Sequence, residues 1–248
     1  MSSPLHQFEV KKIVDLSVAG IDISFTNSAL YMVVATVLVC LFFHFGTKGK
    51  KLIPTKEQSA CELLFHFVNN VLVDQVGKEG IKYFPYIFTV CMFVLSTNII
   101  GLIPYSFTPT SQIVVTFVLS MLVFIGITFV GIMRNKMHFF RHFCPPSIPI
   151  LVMPILVPVE IISYLLKPIS LSIRLCANMT AGHIILKMIS GGAVSCVVLF
   201  HDILKCTFIF PTLINIVMLA FELFVAILQA YIFTILSCIY LNDVMHME

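Results

Sequence analysis

Residues 212–240 read TLINIVMLAFELFVAILQAYIFTILSCIY, a stretch with a single charged side chain, Glu222. About 20 apolar residues in a helix suffice to cross the roughly 30 Å hydrocarbon layer of a bilayer. A helix of this greater length crosses it only with strong tilt. The whole chain has the matching composition. Of 248 residues 59% are apolar and 11% charged, with a mean hydropathy of +1.03. Soluble domains carry about 25% charge, so this chain has too few charged side chains to cover a surface facing water. Lipid is therefore its solvent, and the expected fold is an all-α integral membrane protein. About five membrane-crossing helices and one interfacial amphipathic helix fill a single membrane domain over residues 1–248, leaving no length for a soluble domain.

Working outward, residues 27–45 form a first span, apolar on all faces, that runs into the basic loop GTKGKKLIPTKE. Residues 57–74 differ in kind. Glu62, His66, Asn70 and Asp74 recur every four positions, while Leu64, Val68, Val71 and Leu72 share another face. That pattern predicts a helix lying in the membrane interface. A second span covers 83–103 and a third 113–133, joined by the short polar loop YSFTPTSQ. The basic, proline-broken segment 134–149 reads as a loop. Residues 150–190 are too long for one upright span, and Pro154, Pro158 and Pro168 are expected to kink or break the early part. Gly191 and Gly192 are expected to loosen the chain, and the region of His201, Asp202, Lys205 and Pro211 reads as a turn before the last tilted helix, 212–240.

Basic residues orient the spans. Lys48, Lys50, Lys51, Lys56, Lys78 and Lys82, with Arg134, Lys136 and Arg141, fall on one side; Lys11, Lys12 and Lys205 fall on the other. The positive-inside rule then puts the N-terminus outside and the C-terminus inside. The first 26 residues lack the h-region and cleavage site of a secretory signal, so the N-terminus is expected to be retained. The eight cysteines form no CxxC pair and read as packing residues, not as a zinc or redox site. His138 and His142, four apart in a basic loop, do not amount to a metal site. No cofactor is expected, and no nucleic-acid partner either, because no basic stretch is interleaved with exposed aromatics. No internal repeat is visible.

Five ionisable residues interrupt the two long C-terminal segments: Glu160, Lys167, Arg174, His183 and Glu222. A charge at mid-bilayer costs roughly 2.5–3.5 kcal/mol even on the generous insertion scale. Arg174 is the extreme case, because its guanidinium stays protonated. It must face water, a carboxylate or both. Glu160, Lys167 and Arg174 are seven apart and fall near one helix face, joined by Asn178. Asn215, Glu222 and Gln229 repeat the same spacing on the last helix. Two apolar helices thus each carry a polar stripe, and packed together the stripes could line an aqueous path or a charge-relay surface. His183 lies about half a turn around from Arg174 and could serve a separate compartment. Lys187 is placed to snorkel. Plainer roles compete: Glu160 with Lys167 as a structural ion pair, His183 as a satisfied core histidine, Asn215 and Gln229 as interhelical glue.

The stretch KPISLSIRLCANMTAGHIILKMI, Lys167 to Ile189, resembles the signature of subunit a of the rotary F-type ATP synthase. FELFVAILQAYIFTILSCIYLND, Phe221 to Asp243, resembles that family's last helix, and NIIGLIPYSFTPTSQI, Asn98 to Ile113, its hairpin between the second and third spans. PLHQFEVKKIV followed by ISFTNSALYM is similar to alphaproteobacterial and mitochondrial members. The resemblance implies a proton-translocating stator subunit, not an enzyme on its own, whose partners are a ring of c subunits, the b stalk, other synthase subunits and the bilayer. It implies a multi-pass protein of the bacterial inner membrane, with the mitochondrial inner membrane as the alternative. Arg174 would be the arginine facing the ring, with Asn178 and Gln229 polar residues beside it. His183 and Glu222 would line the outer half-channel, in the mitochondrial-type order of histidine first. Glu160 and Lys167 would lie near the inner half-channel. Two other readings fit intramembrane charges in general: a free-standing proton or cation antiporter, and a haem-anchoring subunit. The latter commonly needs two histidines at depth, and only His183 lies deep in a span.

Overall fold

The computed structural model describes residues 9–15, 17–18, 21–22, 24–48, 54–103, 106–135, 153–199 and 205–245. It opens with four short strands that sequence reading did not anticipate. These are β1 (Lys12–Val14), β2 (Ser17–Val18), β3 (Ile21–Asp22) and β4 (Phe25–Thr26). β2 pairs antiparallel with β3, and β1 pairs antiparallel with β4 around them. Six α-helices follow among the described residues: α1 (Asn27–Thr47), α2 (Lys56–Val76), α3 (Phe84–Gly101), α4 (Ile113–Asn135), α5 (Met153–Leu199) and α6 (Lys205–Met245). Five helical stretches, in α1, in α3 with its leading turn, and in α4, α5 and α6, are long and apolar enough to cross a membrane.

Each boundary has a local cause. Thr26 caps α1, its Oγ1 accepting from the Ala29 N–H at 3.4 Å, and Thr55 caps α2 in the same way through Gln58. Gly77, at φ 82°, stops α2 in a backbone conformation that costs other residues energy. A 3-10 turn, Lys78–Tyr83, leads directly into α3. α2 is the amphipathic helix the spacing calls for. Cys61, Val68, Leu72 and Val76 form its buried face, and Leu64 and Val71 are partly buried against the same core.

The long helices depart from expectation. α5 stays helical across Pro158 and Pro168, and continues through Gly191 and Gly192 to Leu199, past the expected end at Ser190. α6 starts at Lys205, so Lys205 to Pro211, read as part of a turn, belongs to the helix. Arg134 and Asn135 likewise extend α4 instead of opening the loop. Inside hydrocarbon a chain that leaves the helix strands its backbone N–H and C=O groups without water. That cost exceeds the loss of one hydrogen bond per proline, so the helices run on. At 1.5 Å per residue the 47 residues of α5 extend about 70 Å, more than twice the hydrocarbon thickness. His138, His142, His201 and Asp202 lie outside the described residues.

α6 is the hub, packing against α2, α3, α4 and α5. The core between these helices includes Val68, Leu72, Ile87, Val94, Leu175, Phe233 and Leu241. α1 docks on α2 and α3 and presents Val33, Val37, Leu41 and Phe45 outward. Its crossing with α2 is close, since a Cβ on Gly46 would overlap the Cys61 sulfur. Burial, and then the nearby Glu57 and Glu62 carboxylates, push the Cys61 thiol above its ordinary pKa. A thiol so disfavoured as thiolate is a packing group.

Candidate functional site

The polar stripes of α5 and α6 meet. Arg174, Asn178 and Gly182, four apart on α5, stand opposite Glu222 and Gln229 on α6, and together they line a cavity of about 380 Å³. The other walls are apolar, among them Ile185, Phe221, Val225 and Ile232. Arg174 and Asn178 are exposed, on the outward face of α5. Glu222 and Gln229 are 5% and 1% exposed, on the inward side. Asn178 Nδ2 donates to Gln229 Oε1 at 3.1 Å and bridges the two helices.

Glu222 fits because Gly182 has no side chain. A Cβ there would come within 2.6 Å of Glu222 Oε1. Both carboxyl oxygens are buried and find no hydrogen-bond partner among the described residues, and the same holds for Gln229 Nε2. His183 stands behind Glu222, its Nδ1 3.5 Å from Oε1, too long for a good hydrogen bond but close enough for an ion pair when the ring is charged. On the far side of the ring, Nε2 lies 2.8 Å from Thr108 Oγ1. Further polar contacts fasten the loop after α3. Thr110 donates to Asn98 Oδ1 at 3.0 Å, Asn98 Nδ2 to the Ala226 carbonyl at 3.4 Å, and Thr180 on α5 to the Ser111 carbonyl at 3.3 Å.

The site therefore gathers Arg174, Asn178, Glu222 and Gln229 around one hollow, with His183 reached through Glu222. The other sequence candidates lie elsewhere. Lys167 points to the opposite end of the seam, where Nζ meets Asp243 Oδ2 at 3.3 Å and sits over the Tyr240 ring, 4.9 Å from its centroid. Glu160, two turns earlier on α5, is half-buried and does not line the cavity. Asn215 is half-buried with its Oδ1 unpartnered, also away from the cavity. Sequence reading gave no role to Asp243, Gly182 or Thr108. Asp243 had a readable signal, because it continues the seven-residue stripe of Asn215, Glu222 and Gln229 after a gap at Leu236.

The profile of the ATP synthase A chain family matches residues 29–242, which include every residue of this site. The chain belongs to that family. ATP synthase subunit a of Rhodospirillum rubrum is 48% identical over 253 aligned positions that cover all of both chains. A second Rhodospirillum rubrum sequence of the same name matches to the same extent. Family membership and five long apolar helices together make this a multi-pass membrane subunit of the ATP synthase assembly, with proton conduction as its task.

Proposed function

We propose that this chain is the stator subunit that carries protons past a ring of c subunits through two half-channels separated by Arg174. One observation carries the reading. A permanent cation is exposed on the outward face of an apolar helix, where the exposed side chains within a turn of it, Ser170, Ile173, Ala177 and Asn178, carry no charge. Facing lipid, that charge would cost several kcal/mol. Facing a carboxylate on an apposed helix, it is neutralised. A moving ring of carboxylates is the partner that such a face suits.

In this mechanism protons enter from outside along His183 and Glu222 and neutralise a ring carboxylate, which then tolerates lipid. After nearly a full turn the carboxylate reaches the inner half-channel, near Glu160 and Lys167, and releases its proton. Arg174 holds the passing carboxylate in its charged form and repels protons that would leak straight between the channels. Asn178 and Gln229, bonded to each other, keep the seam closed beside it. No covalent bond changes in this chain. The N-terminus lies outside and the C-terminus inside a bacterial inner membrane, with the b stalk and other synthase subunits as further partners, and the membrane domain is one unit.

The test is ATP-driven proton pumping in inverted membrane vesicles, wild type against Arg174→Ala, with passive proton leak measured alongside. Loss of pumping in a complex that still assembles supports the reading. Undiminished pumping would overturn it.

A further inference from the structure

Among its described residues, the loop between α3 and α4 carries four buried hydroxyl side chains: Ser106, Thr108, Thr110 and Ser111. Three of them close on the loop or on α3. Ser106 Oγ lies 2.7 Å from both the Ile100 and the Ile103 carbonyl, either of which can take its one hydrogen, Thr110 bonds Asn98, and Ser111 Oγ donates to the Thr108 carbonyl at 2.7 Å. Thr108 alone among them turns its hydroxyl to α5, where Oγ1 lies 2.8 Å from His183 Nε2. Its other acceptor is the Gly101 carbonyl, at 3.4 Å. Gly101 is what admits it, because a Cβ at that position would come within 2.6 Å of the same Oγ1.

A hydroxyl has one hydrogen to give and lone pairs to receive with. When the His183 ring is neutral with its hydrogen on Nε2, Nε2–H donates to Thr108 Oγ1, the hydroxyl hydrogen points to the Gly101 carbonyl, and the Nδ1 lone pair faces Glu222. When Nδ1 takes a proton from Glu222, Nε2–H still donates to Thr108 Oγ1 and the hydroxyl hydrogen stays on the Gly101 carbonyl, so the proton gained or lost is the one on Nδ1. The same two atoms stay bonded in both states, and the ring need not rotate. Nδ1 stays beside Glu222 throughout.

We propose that Thr108 is the positioning residue of the His183–Glu222 pair. It grips Nε2 in either protonation state of the ring, so that proton exchange with Glu222 passes through Nδ1 alone. The inference rests on reading that pair as proton carriers.

Thr108→Val keeps the shape and removes the hydroxyl, while Thr108→Ser keeps the hydroxyl. In vesicles bearing the assembled complex, Thr108→Val is expected to slow ATP-driven pumping about tenfold, the effect of losing one hydrogen bond to a charged group. Thr108→Ser recovers most of that rate. Solid-state NMR of the 15N-histidine-labelled complex, with the His183 signals assigned by their loss in His183→Gln, should show a neutral ring protonated on Nε2 with that N–H hydrogen-bonded. In Thr108→Val a second tautomer should appear. Equal pumping by the valine variant and wild type, or equal damage from valine and serine, would reduce Thr108 to a packing residue. If the valine variant does not assemble, the wild-type spectrum decides, and an Nε2 without a hydrogen bond overturns the proposal. Glu222→Gln, run in parallel, separates the two levels. If it blocks pumping while Thr108→Val does not, only this inference fails. If it pumps normally, the underlying reading fails as well.

Discussion

The seam between α5 and α6 handles charge in two ways at its two ends. At one end His183 and Glu222 are 7% and 5% exposed and 3.5 Å apart. At the other, Lys167 and Asp243 are 29% and 38% exposed, 3.3 Å apart, with the ammonium laid across an aromatic ring. The second pair can hold permanent charges because water reaches it and each partner neutralises the other. The first pair, cut off from water, can hold opposite charges only at a desolvation cost that their mutual attraction must offset. Similar pairs thus stand with water near at one end of the seam and away from it at the other. Arg174 lies between them.

Removing Arg174 should break this contrast most severely. Arg174→Ala is expected to lower coupled pumping at least about 100-fold, comparable in energy to the cost of a mid-membrane charge. Acid–base quench of a pH-sensitive dye in vesicles reads it directly. Next in size is Gly182→Val, which puts side-chain atoms where the Glu222 carboxyl sits. Pumping should fall about tenfold or more, as expected for a misplaced reacting group, while the Lys167–Asp243 end is untouched. A smaller effect is expected from Lys167→Met and Asp243→Asn. Because that pair is about one-third exposed, a double-mutant cycle on thermal inactivation of the complex should give a coupling of no more than about 1 kcal/mol. A coupling several times larger would mean the two ends do not differ as described.

Much of this could be read in the sequence because lipid makes its demands loudly. Apolar runs located the long helices, and charges within those runs singled out Arg174, His183 and Glu222. The four-residue polar rhythm of 57–74 marked α2 as amphipathic. Other features rest on physics that spacing does not carry. Prolines and glycines punctuate a chain in water, but in hydrocarbon the backbone has no alternative partner, which is why α5 and α6 outran their expected limits. The β1–β4 and β2–β3 pairs involve very few residues each, below what alternation reveals. Gly182 and Thr108 matter through what stands across from them, on α6 and α5. The Lys167–Asp243 contact joins residues 76 positions apart, and no local pattern signals a partner at that range.

The hollow beside Arg174 also has an electrical meaning. Where water fills such a recess, the insulating layer is thinner than the surrounding hydrocarbon of about 30 Å. A membrane voltage falls across insulator and hardly at all across water. On the proposed two-channel mechanism, the field is compressed into the narrow septum that Arg174 would occupy, and a charge crossing that septum does nearly all of its electrical work there. For 100 mV that work is about 2.3 kcal/mol per elementary charge, delivered over a step of a few side-chain widths.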